Sequence, residues 1–340
     1  MIRIGLIGVG KMGISHLAIF RAHPDVEIAG ICEPQSFVAS SVKSQTGIET
    51  FKSFEKLIDH AELDAVVVAT PTITHLEAAT YAMEHGVNVF VEKPLALNPT
   101  DSWGLVQLAE RTGVANQVGY HNRFIGTFQE TRRLVRAGAI GEVYHIDGKA
   151  FGPVVTKPKT GMTWRSKKSE GGGCLHDYAS HVVDLMNWIV GPPKEVLGAR
   201  LTSIFSKDVE DSVYALLGYA AGFAGQLETN WSDDAHRKMS TTVAVYGTRG
   251  KIVADRQECQ VFLKPGMTFE KYGDGWTTRY ITDLQAPVSY YLRGEEYSAQ
   301  VDSFVEAVKA RNTRPENSFA SAYETDWTID QVMQAHEARS

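Results

Sequence analysis

The sequence has few cysteines and no long apolar run. Its 340 residues include three cysteines, Cys32, Cys174 and Cys259, which lie far apart and form no Cys-x-x-Cys pair. This usage is typical of reduced thiols in a cytosolic protein and disfavours a disulfide framework or a zinc ribbon. No apolar run approaches the roughly 20 residues that cross a membrane. Because residues 2–8 have the pattern of a buried strand rather than of a cleavable leader, we expect a cytoplasmic protein without membrane contacts.

The sequence also lacks a block of like charge. The formal net charge is −6, and lysine and arginine form no cluster, which argues against a nucleic-acid partner. With 43% hydrophobic and 22% charged residues, the composition excludes a disordered chain. A chain of 340 residues exceeds the usual single compact domain. We therefore expect two domains and a small-molecule partner in a cleft between them.

The first part of the chain alternates apolar, β-branched runs with helical patterns. Such alternation is typical of a parallel sheet covered on both faces, a doubly wound α/β domain. We predict this domain over residues 1–120. Its predicted strands are residues 2–7, 26–32, 65–69, 87–91 and 114–118, and its predicted helices are residues 12–21, 37–43, 76–85 and 100–111.

After residue 120 the pattern changes to consecutive strands joined by short turns, which is typical of a mainly antiparallel sheet. We predict a second, α+β domain over residues 121–340. Its predicted strands are residues 195–202, 211–219, 223–231, 241–246 and 250–255, and its predicted helices are residues 127–137, 178–190, 297–310 and 320–338.

A glycine motif, G-x-G-x-x-G, connects the first predicted strand and helix. Gly8 would form the tight turn, Gly10 would admit a pyrophosphate against bare backbone, and Gly13 would allow close packing of helix on strand. The intervening Lys11 and Met12 begin the helix, whose free N–H groups attract phosphate. The alternative is a packing loop without a ligand. The strand before the motif and the helix after it favour dinucleotide binding.

Glu33 follows the second strand, twenty residues after Gly13. At this position a carboxylate accepts hydrogen bonds from the adenosine ribose hydroxyls. Its charge would repel a 2′-phosphate, and residues 34–37 contain no cation to offset that repulsion. The sequence therefore predicts NAD as the cofactor in preference to NADP.

A Val-Glu-Lys-Pro segment ends the predicted strand at residues 87–91, at the sheet edge where open α/β sheets bind their ligands. It closely resembles the Glu-Lys-Pro motif of the Gfo/Idh/MocA family, the relatives of glucose-fructose oxidoreductase and inositol dehydrogenase. The resemblance extends to the closing helices and to further motifs: Ala69-Thr70-Pro71 with His75, Val118-Gly119-Tyr120 with Arg123, and Gly171-Gly172-Gly173 before Asp177 and His181.

This resemblance implies a Rossmann domain followed by a domain with an open-faced sheet, assembled through that sheet into homodimers or homotetramers. It implies oxidation of an alcohol or reduction of a ketone on a sugar, a sugar derivative or an inositol. Lys93 and His181 would lie at the reacting carbon. Residues assigned to the cofactor on the same basis are Thr70, Pro71, His75, Glu92 and Lys93. Two departures from the family pattern are Glu33, where many members carry Asp, and Tyr120-His121-Asn122, which matches no single subgroup.

Oxidation of a secondary alcohol needs a base for the hydroxyl proton and a donor to the substrate oxygen. Histidine titrates near neutral pH, so we predict His181 as the general base. Asp177, one helical turn earlier, would orient or stabilise the imidazole. Lys93, before a proline, would be the donor or a proton relay. The alternative is that Asp177, His181 and Asp184 form only a solvated polar face.

Other candidate ligands have weaker support. Trp164 and Arg165, just before the glycine run, are predicted to contact substrate or to be ordinary loop anchors. Tyr120 and Arg123 are predicted to border the cleft or to tie the domains together. A zinc site formed by Cys174, His176, Asp177 and His181 has suitable ligand types, but the spacing fits no recognised zinc motif, and we expect no metal.

Three functions remain open on the sequence alone. The leading one is an NAD(P)-dependent dehydrogenase acting on a sugar or inositol. The second is a glycosidase that keeps NAD bound and oxidises its sugar transiently. The third is a non-catalytic nucleotide sensor, similar in fold to the galactose-pathway repressor. The presence of both Lys93 and His181 disfavours the sensor, because a sensor needs neither.

Overall fold

The structure, a computed structural model, describes residues 1–155 and 167–338. The chain divides into two compact units. Unit one comprises Met1–His121 and Pro287–Tyr323, and unit two comprises Asn122–Ala286 and the chain from Glu324 onward. This division differs from a single boundary after residue 120, because residues 287–323 pack with unit one.

Unit one contains a parallel sheet of six strands. The strands are β1 (Ile2–Ile7), β2 (Val26–Cys32), β3 (Thr50–Phe51), β4 (Ala65–Val68), β5 (Asn88–Val91) and β6 (Asn116–Val118). Their order across the sheet is β3-β2-β1-β4-β5-β6, with every neighbouring pair parallel. The order reverses between β1 and β4, and this is the point where a doubly wound sheet binds a dinucleotide. The prediction of a doubly wound sheet is confirmed.

Helices cover both faces of this sheet. They are α1 (Lys11–Ala22), α2 (Ser36–Thr46), α3 (Phe54–His60), α4 (His75–Glu84) and α5 (Pro99–Thr112). The ends of α5 show how sequence sets a helix boundary. Asn98 caps its start by accepting the Asp101 N–H at 2.9 Å, and Gly113, at φ 69°, ends it in the left-handed conformation that glycine favours.

Unit two contains a mainly antiparallel sheet of eight strands. The strands are β7 (Val143–Phe151), β8 (Glu195–Thr202), β9 (Ser212–Gly218), β10 (Ala224–Asn230), β11 (Ser240–Gly247), β12 (Gly250–Ala254), β13 (Glu258–Leu263) and β14 (Gly275–Tyr280). Their order is β14-β13-β12-β11-β7-β10-β9-β8, and β7 with β10 is the parallel pair. The α+β prediction is confirmed, although β7, β13 and β14 were not predicted.

Helices cover one face of this sheet, and within residues 1–155 and 167–338 no helix covers the other, which we call open. Helices that lie wholly within this unit are α6 (Gly126–Arg136), α7 (Ser180–Val190) and α8 (Ile281–Leu284), and most of the final helix of the chain, residues 319–337, belongs to it as well. Val182 and Met186 of α7 pack against Gly148 of β7, where any side chain would collide with them. Alternate residues of the strands point to the other face. There Tyr214, Leu216, Phe262, Trp276 and Tyr280 form what we call the open face, with Trp276 57% exposed.

The last two helices are α9 (Glu295–Lys309) and α10 (Phe319–Glu337). Helix α9 explains why the tail returns to unit one. Its Val301 and Phe304 are buried in the core formed by β1, β4 and α1, where the Phe304 ring lies 5.6 Å from that of Phe90 and 6.3 Å from that of Phe20. The sequence predicted this helix but not its partner.

Candidate active site

The glycine turn between β1 and α1 has the geometry that the motif predicts. Gly8 adopts φ +90°, a conformation that favours glycine, and donates its N–H to the carbonyl of Cys32 at 2.9 Å. A Cβ on Gly13 would lie 2.0 Å from the Gly8 carbonyl oxygen. Both glycines are therefore required by the turn itself.

Gly10 differs from its two neighbours in the motif. It is exposed at the start of α1, and a Cβ there would meet nothing within 4 Å. As the N-cap residue, Gly10 supplies no side-chain hydrogen bond to the first-turn N–H groups of the helix. Bare backbone and an uncapped helix start fit an anionic pyrophosphate.

Glu33 lies at the end of β2, beside this turn. Its Oε1 accepts the Gln35 N–H at 2.9 Å, and its Oε2 lies 3.4 Å from the Val9 N–H of the turn. The side chain is largely buried, so its charge is held close to the glycine turn. This placement suits a carboxylate that binds the adenosine ribose, and unit one fits a dinucleotide.

His75 braces the loops that follow β4 and β5. Its Nδ1 lies 3.0 Å from the carbonyl of Pro94, and its Nε2 lies 3.0 Å from the carbonyl of Thr70. Burial lowers the pKa of His75, although both carbonyls favour the charged form. At least one ring nitrogen donates to a backbone carbonyl, so His75 connects these two loops. Pro71, exposed after Thr70, begins the short helical turn Thr72–Thr74.

Lys93 is the second residue after β5 and is half-buried. Its backbone N–H donates to Oε2 of Glu92 at 3.2 Å, and its peptide bond to Pro94 is cis. The other oxygen of Glu92, Oε1, lies 2.6 Å from Nε2 of His16 on α1. Glu92 is thus engaged within the protein, and sequence reasoning missed its partner His16. The sequence feature that could have indicated this contact is that His16 occupies a core-facing position of α1, beside Leu17 and Phe20.

In unit two, the glycine run leads into the segment that carries Asp177 and His181. Gly173, at φ +111°, packs so closely on Glu210 that a Cβ would lie 2.2 Å from its Oε1. The same oxygen accepts the Leu175 N–H at 2.8 Å. Burial raises the pKa of Glu210, although this hydrogen bond opposes the shift. Glu210 thereby fixes the start of the π-helical turn Leu175–Ala179, which continues into α7.

Asp177 and His181 lie on either side of the junction between the π-helical turn and α7. Asp177 is 5% exposed, His181 6% and Asp184 0%. The alternative of a solvated polar face is therefore wrong. Single π-helical turns within helices are frequent at functional sites, which agrees with a functional assignment for this segment.

Arg123 and Tyr120 are both buried. Nε and Nη2 of Arg123 bind the two carboxylate oxygens of Asp184 at 2.9 and 2.6 Å. Arg123 thus anchors α7 through a buried ion pair. Tyr120 is 1% exposed and lies in the unit-one core with Val118 and Phe319.

Trp164 and Arg165, predicted to contact substrate, lie outside the described residues. Within residues 1–155 and 167–338, no three His, Cys, Asp or Glu side chains converge as metal ligands. Cys174 instead donates to the Thr229 hydroxyl at 3.3 Å, and burial raises the pKa of its thiol. Of the helices that are described, none has the length and apolarity required to span a membrane.

The sequence matches the oxidoreductase family GFO_IDH_MocA, described as having an NAD-binding Rossmann fold, over residues 2–120. The C-terminal domain of the same family matches residues 128–253. The chain belongs to the Gfo/Idh/MocA family. It is an oxidoreductase whose NAD-binding domain, residues 2–120, includes the glycine turn of unit one.

Individual Gfo/Idh/MocA proteins resemble this member along most of its length. A levoglucosan dehydrogenase of Pseudarthrobacter phenanthrenivorans is 27% identical, over 76% of this chain and 76% of the relative. A 2,7-anhydro-N-acetylneuraminate hydratase of Escherichia coli is 26% identical, over 78% of this chain and 71% of the relative. The solved structure of a levoglucosan dehydrogenase with NADH and levoglucosan has a TM-score of 0.87 at 23% identity, covering 100% of this chain and 98% of that one. This last likeness supports the shared fold.

Proposed function

We propose that this oxidoreductase transfers a hydride between NAD and a secondary alcohol carbon of a sugar, a sugar derivative or an inositol. The observation that carries the proposal is the placement of Lys93. It follows β5 at the ligand-binding edge of the NAD-binding sheet, with its backbone fixed by the Glu92 carboxylate. The similarity to a dehydrogenase named for the sugar levoglucosan supports the substrate class.

Each candidate side chain has a definite task in this reaction. When bound, the nicotinamide ring accepts or returns the hydride. The Lys93 ammonium donates to the substrate oxygen, and the His181 imidazole accepts the hydroxyl proton during oxidation. Asp177, on the same helical segment, orients that imidazole and stabilises its cation. Trp164 and Arg165 remain proposed substrate contacts.

NAD is the proposed cofactor in preference to NADP. The buried Glu33 carboxylate lies beside the glycine turn, and the exposed residues that follow it, Pro34, Gln35, Ser36 and Phe37, include no cation. A 2′-phosphate at this position would meet a negative charge without compensation.

We further propose a cytoplasmic homodimer or homotetramer that assembles through the open face of unit two. The exposed aromatic and aliphatic side chains of that face support the assembly, because apolar surface of this kind marks protein contacts. All three cysteines are free and buried, as suits a reducing compartment.

A second candidate is an enzyme without net oxidation, in which NAD oxidises the sugar only transiently. The specific support is the similarity to a protein named as a hydratase. Net formation of NADH separates the two candidates, because transient oxidation returns the hydride to the sugar.

The test is a panel of sugars, sugar phosphates and inositols, screened at 340 nm for NADH formation. The proposal predicts stoichiometric NADH with at least one compound and a loss of turnover of roughly a hundredfold or more in Lys93→Ala and His181→Ala. Unchanged turnover in both variants would show that Lys93 and His181 do not have the roles assigned to them. Loss of a sugar without NADH would favour the second candidate.

A further inference from the structure

A buried polar contact joins the helix that begins at the glycine turn to the loop that carries Lys93. Nε2 of His16, in the second turn of α1, lies 2.6 Å from Oε1 of Glu92. The His16 side chain is 1% exposed and that of Glu92 is 11% exposed. The contact is therefore shielded from water and from dissolved salt, which weaken surface ion pairs.

The second oxygen of Glu92 holds the backbone of Lys93. Oε2 accepts the Lys93 N–H at 3.2 Å while Oε1 faces His16. Gly119, after β6, lies against the same carboxylate, so that a Cβ there would approach Oε1 to 3.0 Å. With both oxygens engaged and one side closed by backbone, the carboxylate has a single orientation, and so does the amide of Lys93.

The carboxylate is ionised in this setting. Burial opposes ionisation, but the hydrogen bond and charge of His16 and the charges of Lys93 and His121 outweigh it, so the pKa of Glu92 lies below its usual value. An ionised carboxylate accepts through both oxygens at once, as the two contacts require.

The surroundings of His16 point to function rather than stability. Its ring packs at 5.2 Å from Phe90 and 6.1 Å from Phe20. Its other nitrogen, Nδ1, is buried without a hydrogen-bond partner among the described residues. An unsatisfied buried polar atom lowers the stability of the fold. A leucine would avoid that cost, so stability alone does not explain a histidine here.

We propose that the His16–Glu92 pair is a positioning device, in which His16 fixes the Glu92 carboxylate and that carboxylate fixes Lys93 for its contact with the substrate oxygen. The role of Lys93 rests on the proposed function. His16 touches no reacting atom and acts through Glu92. One carboxylate thus links the helix that begins at the dinucleotide turn to the residue that contacts the substrate.

The test uses the whole chain, four single variants and one double variant. His16→Gln keeps an N–H donor near the position of Nε2, whereas His16→Leu removes it at similar volume. Glu92→Gln removes the charge at the same size. His23→Leu is the matched control, because His23 is also buried and paired with a carboxylate, Asp302 at 3.2 Å, but lies beyond the opposite end of α1.

Two measurements need no turnover. In NMR spectra of histidine-labelled protein, the wild type is expected to show a downfield, slowly exchanging imidazole N–H that disappears in His16→Leu and Glu92→Gln. In reductive methylation read by mass spectrometry, the labelling rate of Lys93 is expected to change in these two variants and to stay unchanged in His23→Leu. Absence of that resonance from wild-type spectra, or unchanged labelling in His16→Leu, overturns the proposal even if no substrate is found.

Kinetics with a substrate from the panel give the third measurement. Misplacement of Lys93 predicts a fall in kcat of roughly ten- to hundredfold in His16→Leu, with the Kd for NADH nearly unchanged and most of the activity retained in His16→Gln. Combining His16→Leu with Glu92→Gln is expected to cost no more than Glu92→Gln alone, because both act through one carboxylate. Additive losses, or wild-type kcat in folded His16→Leu, contradict the proposal. If no compound is turned over by the wild type, the proposed function fails, while the first two measurements still decide the role of the pair.

Discussion

At the residue scale, the Glu33 carboxylate serves both the fold and the expected choice of cofactor. It accepts backbone N–H groups from Gln35 and, at longer distance, from Val9. The sequence predicted its position because the interval between the glycine turn and the end of the second strand is set by one helix and one strand. The sequence did not predict that the same side chain would brace the turn.

Replacing Glu33 by glutamine should shift the preference towards NADPH. The substitution keeps the size and one acceptor but removes the charge that repels a 2′-phosphate. We expect the ratio of the NADPH and NADH dissociation constants to fall by about tenfold, which corresponds to about 1.4 kcal/mol. Titration of cofactor fluorescence measures both constants. Glu27→Gln, at an exposed site on the same strand, is the control, and an unchanged ratio in Glu33→Gln would show that the carboxylate does not select the cofactor.

Other features of the candidate site could not be predicted from the sequence. Asp177, His181 and Asp184 recur at helical spacing, which fits a solvated face and a buried site equally well. Only the tertiary structure shows that all three are buried. The contact between His16 and Glu92 joins residues 76 positions apart. No local pattern encodes such a pair, since it depends on how α1 packs against β5.

At the scale of the element, the glycines of the turn between β1 and α1 have different roles. Gly8 and Gly13 are needed for folding, whereas Gly10 is expected to be needed only for cofactor binding. Gly10→Ala should fold normally, because its Cβ meets nothing within 4 Å and its φ of −64° suits alanine. Gly13→Ala should lose roughly 1–3 kcal/mol or more of unfolding free energy, because its Cβ would overlap the Gly8 carbonyl.

Urea denaturation and NADH titration together check this pair of variants. We expect near-wild-type stability but an NADH affinity weakened by about tenfold or more in Gly10→Ala, because the added methyl group occupies the approach of the pyrophosphate. Wild-type NADH affinity in Gly10→Ala would place the cofactor elsewhere.

Helix α7 depends on the ion pair between Arg123 and Asp184. Burial raises the pKa of Asp184, although the Arg123 guanidinium favours the charged form. Arg123→Met leaves this carboxylate unpaired, and we expect a loss of about 3–5 kcal/mol of unfolding free energy. A carboxyl whose pKa is higher in the folded than in the unfolded state contributes less stability as pH rises. The loss should therefore be smaller at about pH 5 than at about pH 8.

Denaturation at both pH values measures this effect. The double variant Arg123→Met with Asp184→Leu is the control, and it should recover most of the lost stability because no buried charge remains. A loss in Arg123→Met that is independent of pH would contradict the explanation by an unpaired carboxylate.

The central strand of unit two was not predicted from the sequence. The central strand β7 alternates Ile146, Gly148 and Ala150 towards the core with His145, Asp147 and Lys149 on the other side. Because every second residue is polar, β7 contains no continuous apolar run and was not recognised as a strand in the sequence. Strands β13 and β14 were also not predicted.

At the scale of the whole molecule, the sequence indicated two domains and assigned the whole tail to the second, whereas residues 287–323 pack with unit one. The helical pattern of α9 was visible, yet its partner was not, because its apolar side suits any core. The open face of unit two likewise forms only when the strands come together in the sheet. The proposal that the protein is an oligomer is based on this face.

Charging the open face should dissociate the proposed oligomer. Leu216→Asp and Trp276→Asp each place a carboxylate within the exposed apolar surface, and we expect their combination to shift the protein to monomer. Sedimentation velocity measures the mass. Met267→Asp, an exposed methionine in the turn between β13 and β14, is the control. A monomeric wild type, or an unchanged mass in the double variant, would contradict assembly through this face.

The most direct test of the account follows the hydride itself. The protein is incubated with NAD and a panel of sugars and inositols that carry deuterium on carbon. The mass of the recovered cofactor is then measured by mass spectrometry. The account predicts that at least one compound yields NADH carrying one deuterium, and that Lys93→Ala yields far less. If every compound leaves the cofactor without deuterium, net hydride transfer from a sugar or inositol carbon is contradicted.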